Sequence, residues 1–325
     1  MGKLIKEVII IFLINLLSIN LFGWGFFSHP RINEHAVYCL PPEMVGFYKK
    51  HIDYISQHAV DPDKRSYINP KEAACHYMDI NHYGEYPFDM VPKTWKEAVN
   101  KYTEDTLYAY GILPYHLIKV YYQLVDAFKE GDAGRILYLS ANIGHYVADA
   151  HVPLHCNMFY DGRDPSEKGI HALWESRCVE VLYDNFNLFV GRAKYISKPT
   201  DEFWNWIQNG YLQSDTVLNV FSYIMKQYTP SEIYTLEDRN NIVIKQYSRE
   251  FINDFNTMLQ NMVERNFRKS VLDVASFWYT AWVNAGQPNL DILDDKDFLA
   301  NQKKEEEELD YMWKHGKPLG RPNPE

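Results

Sequence analysis

Several common protein classes are excluded by what this chain lacks. Its four cysteines include no Cys-x-x-Cys pair, which disfavours a thiolate zinc knuckle. No Gly-, Ser- or Pro-rich linker precedes about residue 286, so one domain is expected where length alone would allow two. There is no internal repeat, and strand-like alternation is scarce. A Lys/Arg-rich stripe is also missing, and the net charge is −10, so nothing in the chain gives a general attraction to nucleic acid or anionic lipid. Bound cations would change that balance locally. The apolar run VIIIFLINLL (8–17) is too short to cross a bilayer, which takes about 20 residues.

What is present favours export and a single helical core. The opening MGKLIK carries two lysines and the α-amine ahead of that apolar run, and Gly23 supplies a small residue before WGFFSH. A signal peptide over 1–23 fits this pattern, with release to the periplasm or outside the cell, and an uncleaved anchor is the alternative. Cys39, Cys75, Cys156 and Cys178 are compatible with export and two disulfides, or with four free buried thiols. A Cys156–Cys178 pair would staple the site described below. Hydrophobic residues make up 46% and aromatics 15% of 325 residues, ample for one core.

Apolar residues recur at three- and four-residue spacing over 95–110, 114–130, 132–150, 170–186, 201–226 and 246–285, which predicts an all-α fold. Asp132 can cap the third helix, and Val152-Pro153 ends it. The last helix closes at Gly286 and Pro288. The expected domain is 24–290, and 291–325 is a charged, proline-bearing tail at its periphery.

The chemistry concentrates in IGHYVADAHVPLH (143–155). On a helix His145 and Asp149 are one turn apart and share a face. His155 follows just past the helix end. GIHALWE (169–175) repeats the device, with His171 and Glu175 again four apart. One such pair is usually an accident of capping or ion pairing. Two pairs with a histidine between them form a ligand pattern for more than one metal ion. All the donors are nitrogen or oxygen, which favours catalytic zinc with open positions. His151, six residues from His145 and two from Asp149, faces elsewhere and reads as a support behind the ligands or as structural.

These motifs, in this order, resemble the superfamily of zinc-dependent bacterial phospholipases C and fungal-type single-strand-specific zinc nucleases. The resemblance runs from Trp24 to about Leu290. Trp24 and His29 in WGFFSH look like the family's amino-terminal ligands. Asp61 in AVDPDKR and His76 in HYMD look like the next ones, and Asp63 competes with Asp61. His145, Asp149, His155, His171 and Glu175 match the remainder.

The resemblance implies a single multi-helix domain around three zinc ions. Asp149 would bridge two of them. One ion would take Asp61, His76 and His145, and a second the amine and carbonyl of Trp24 with His29. His155, His171 and Glu175 would hold the third. A cleaved α-amine has a pKa near 8, so zinc can hold it neutral at modest cost. The implied activity is zinc-dependent phosphoester hydrolysis, with Asp61 or Asp63 orienting or deprotonating the attacking water.

The choice of substrate rests on departures from either branch. The short Trp24-to-His29 spacing, DAHVPLH and Trp174 look nuclease-like. Glu175 in place of an aspartate, the 16-residue step from His155 to His171 and the HCNMF segment favour a phospholipase C-like esterase. A phospholipid or another phosphodiester is therefore the expected substrate, with peripheral membrane contact, and nucleic acid enters only as the substrate of the nuclease alternative. A helical binding module with inert zinc is the third possibility. It would rest on aromatic stripes such as EFWNWIQNGY (202–211), whose ordinary role is core packing.

Overall fold

The helix Ala133–Asp149 forms the centre of the molecule. Asp132 caps its start by accepting from the Arg135 amide at 2.9 Å. From Ile143 to Asp149 every residue is buried, so this end is enclosed on all sides rather than amphipathic. Around it pack Ser28–Val37, Leu113–Glu130 and Met262–Asn284, while Pro199–Ile224 lies against Leu113–Glu130 and against the turn Pro153–Cys156. The computed structural model describes residues 26–239, 242–293 and 307–315. The expected signal segment and Trp24 lie outside the described residues.

The all-α expectation holds, with one small addition. Tyr234–Arg239 and Ile242–Tyr247 pair as a two-stranded antiparallel sheet within a helical fold. Buried hydrophobic residues from Ile32 to Leu290 form one continuous core. The stripe at 202–211 belongs to it, since Phe203, Trp204, Trp206 and Ile207 are all buried. Among the described residues no helix is long and apolar enough to cross a membrane.

Several expected helices are interrupted. The segment 95–110 is two helices, Trp95–Tyr102 and Glu104–Tyr110, divided at Thr103 with φ of 70°. The segment 246–285 starts as strand, because Ile242-Val243-Ile244 are β-branched and favour extended backbone. Ser248 then caps Arg249–Met258, and Gln260 and Asn261 at positive φ separate it from Met262–Asn284. The tail is not wholly detached. Residues 307–315 are helical, Asp310 lies 2.8 Å from Lys64, and Trp313 stacks on Phe26 at 5.0 Å. All four cysteines are free and buried, so Cys156 and Cys178 are unpaired thiols.

Two close approaches place the site. A Cβ on Gly144 would fall 2.0 Å from Asn33 Oδ1, so glycine lets the Ser28–Val37 helix press against the central one. Asn33 fastens that approach by donating to the carbonyls of Ile55 and Ala141, both at 3.1 Å. His29, one turn before Asn33, thereby stacks on His145 with ring centroids 3.8 Å apart. At the other end Val152 is extended, as a residue before proline prefers, and Pro153 opens the tight turn that carries His155. The Met78 amide donates to the His155 carbonyl at 2.8 Å, which brings the His76 segment alongside.

Candidate metal centre

Three groups of donors converge around the end of the central helix. They are His29, His145 and Asp149; Asp63, His76 and His145; and His155, His171 and Glu175. Within each group the donor atoms lie within 4.8 Å of one another. Every member but Asp63 and His171 is buried. Groups of this kind could hold metal ions.

Asp149 connects the groups. Its Oδ1 lies 3.4 Å from His29 Nε2 and 3.5 Å from His155 Nδ1, while Oδ2 lies 3.0 Å from His76 Nδ1 and 3.1 Å from His145 Nε2. One carboxylate thus turns one oxygen to each side. Two donors on a single tetrahedral zinc are about 3.3 Å apart, given zinc–ligand bonds of about 2.0–2.1 Å. The separations at Asp149 match that scale. So do those in the third group, where His155 Nε2 is 3.0 Å from His171 Nε2 and 3.6 Å from Glu175 Oε1, and His171 Nε2 is 2.8 Å from Glu175 Oε2.

Hydrogen bonding fixes the state of the central imidazole. His145 Nδ1 lies 2.8 Å from the Ala59 carbonyl, an acceptor only, so Nδ1 carries the proton and donates. Nε2 then has its lone pair directed into the cluster, 2.9 Å from His76 Nδ1. A backbone carbonyl holding the remote nitrogen is the usual support of a ligating histidine. The buried Nε2 of His76 has no hydrogen-bond partner among the described residues.

The electrostatics describe a seat for positive charge. Burial works to raise the carboxyl of Asp149, but His145 and His155 outweigh it and hold the group ionised, well below the usual range. Glu175 is held down in the same way by His171 and His155. Burial would lower His76, yet its hydrogen bond to Asp149 and the nearby Asp63 and Glu72 push it up to about 9. His145 goes the other way, held down by burial and by the neighbouring His29, so it is His76 whose proton a metal ion would replace.

The structure brings together most of the residues singled out in the sequence and separates one. His29, His76, His145, Asp149, His155, His171 and Glu175 all converge. Asp61 does not. It turns to His58 Nδ1 at 2.5 Å and Lys64 at 3.2 Å, whereas Asp63 places Oδ1 3.7 Å from both His76 Nδ1 and His145 Nε2. Asp63 therefore occupies the position in the middle group expected for Asp61. Residues two apart on a helix point to well-separated directions, so only one of the pair can face the cluster.

Sequence reasoning missed the residues that hold the ligands. Asp161 accepts from the Gly169 and His171 amides at 2.8 and 3.4 Å and fixes the start of the turn bearing His171. Glu175 sits within a π-helical turn, Leu173–Arg177, a local widening often found at functional sites. The short Asp-Gly step at 161–162 was the available signal for the first, and nothing local announces the second. An open depression of about 410 Å³ is bordered by Phe159, Tyr160, Asp161 and Lys168, with no donor residue in its wall, and the Tyr160 ring lies 5.7 Å from that of His171. No protein-family model matches the chain, and no curated protein matches it.

Proposed function

We propose that the protein is an exported zinc-dependent phosphoester hydrolase, phospholipase C-like, with three metal ions grouped around Asp149. The observation that carries this is the division of Asp149 between two sets of buried imidazoles, with the second pair, His171 and Glu175, closing on His155. Nitrogen and oxygen donors without sulfur suit zinc that keeps open positions. Bound zinc would polarise a phosphate, neutralise its charge and supply a hydroxide nucleophile near pH 7.

The chain's own residues have separable parts in this scheme. His29, His76, His145, His155 and His171 are the neutral donors, and Asp149, Asp63 and Glu175 balance the charge of the ions. Asp63 is the most accessible carboxylate of the set, with 26% of its side chain exposed, and is placed to accept the proton of an attacking water. Trp24 would complete the His29 group through its amine once the leader is removed.

The test is hydrolysis, side by side, of a short-chain phosphatidylcholine and of single-stranded DNA and RNA, before and after chelation. Chelator-sensitive release of diacylglycerol supports the phospholipase assignment. Degradation of nucleic acid with lipid untouched would replace it by the nuclease alternative, and retention of ligand binding with no turnover of either would indicate a binding module.

A further inference from the structure

Behind the middle donor group lies a partly buried polar network that contributes no donor to it. Arg65 is its hub. Its Nε and Nη2 donate to Glu72 Oε1 at 3.2 and 3.0 Å, and Nη2 also reaches Asn142 Oδ1 and, at 3.4 Å, Tyr146 Oη. The Tyr146 hydroxyl donates to Glu72 Oε1. Asn142 in turn donates to the Tyr138 carbonyl at 2.6 Å. Tyr146 is almost fully buried, and the side chains of Arg65 and Glu72 are 23% and 14% exposed.

The placement of these residues matches the ligands one for one. Arg65 follows Asp63 by two positions on the short helix Asp61–Ser66. Glu72 lies four before His76, and the Tyr146 ring meets that of His76 edge-on at 5.5 Å. Tyr146 directly follows His145, and Asn142 is one turn before it. Each of three separate chain segments thus carries one donor of the Asp63–His76–His145 group and at least one member of the network. A six-residue helix has little hold of its own on its orientation; its contacts do that, Asp61 to His58 on one side and Arg65 to Glu72, in the segment that bears His76, on the other.

We infer that Arg65, Glu72 and Tyr146 are positioning residues for the Asp63–His76–His145 metal group, fixing the three segments in the relation that metal binding requires. The inference rests on the proposed metal cluster and adds which residues make one of its ions tight. Groups hydrogen-bonded to the ligands themselves typically change metal affinity about 10- to 100-fold, and a network that holds the segments bearing the ligands is expected at the lower end of that range. The guanidinium is bidentate on one carboxylate oxygen and shared with two further acceptors, a geometry that lysine cannot reproduce.

The experiment measures zinc content and stepwise zinc release to a chelator for the wild type and for Arg65→Ala, Arg65→Lys and Tyr146→Phe. Arg65→Ala and Tyr146→Phe should each weaken one ion about 10-fold or more and leave the others unchanged, with Arg65→Lys in between. The decisive readout is coupling. Arg65→Ala should add nothing to Asp63→Ala, which has already lost the middle ion, but should act in full on top of His171→Ala, which lacks the third. Equal weakening of all ions, or full additivity with Asp63→Ala, would reduce the network to general structural support and overturn the inference. If Arg65→Ala does not fold, Tyr146→Phe and its combination with Asp63→Ala decide the matter. A wild type that retains no zinc defeats the metal cluster itself, whereas zinc retained equally by wild type and variants defeats only the positioning role.

Discussion

His145 Nε2 and Asp149 Oδ2 lie 3.1 Å apart, one helical turn from each other on the same buried helix end. The other oxygen of Asp149 faces His29 and His155. A terminal ligand needs only one of these directions, and a bridge needs both. Asp149→Asn should therefore release two zinc ions together, read by elemental analysis after dialysis. Release of a single ion would make Asp149 terminal.

Asp61 and Asp63 should behave differently although they are two residues apart. Asp63→Asn removes a donor and should lose one ion together with most of the hydrolytic activity, while the helical signal in circular dichroism is retained. Asp61→Asn leaves the donors in place and weakens contacts to His58 and Lys64, so it should keep the full zinc content and cost about 1–3 kcal/mol of stability. Zinc lost from Asp61→Asn and kept by Asp63→Asn would reverse the assignment.

The Asp149 and Asp61 variants mark where the sequence was legible and where it was not. His145 with Asp149, and His171 with Glu175, were readable because a helix turns a four-residue step into a shared face. His29 and His76 come from distant segments, and no local pattern brings them to His145. That depends on Asn33 meeting Gly144 and on the Met78 amide meeting the His155 carbonyl. The choice between Asp61 and Asp63 needed the direction of a short helix, which shows only in what its side chains meet: Asp61 on His58 and Lys64, Arg65 on Glu72. The helical class was legible from periodicity. The breaks at Thr103 and at Gln260-Asn261 were not, because no glycine or proline marks them although all three exposed residues take positive φ.

Gly144 should not tolerate a methyl group. The added Cβ would sit inside contact distance of Asn33, whose amide is already committed to two carbonyls. Gly144→Ala should lower stability by about 1–3 kcal/mol, measured by thermal unfolding. An unchanged unfolding temperature would show that the two helices separate at little cost.

The cysteines should titrate as thiols. Burial pushes Cys39 up to about 11 and raises the other three as well, so none is a ready thiolate at neutral pH. The folded protein should react slowly with a thiol reagent, and the unfolded protein should give four equivalents without reductant. Two equivalents or fewer in the unfolded chain would reveal disulfides instead.

The central claim is that the donors around Asp149 hold a cluster of zinc ions, and the most direct measurement is the zinc content of purified protein beginning at Trp24, after exhaustive dialysis against metal-free buffer. Nine donor residues in three groups, counting Trp24 and placing Asp63 in the middle group, predict about three zinc ions per chain by the usual three to four protein ligands each. A chain that retains one ion or none, while remaining folded, would contradict the account.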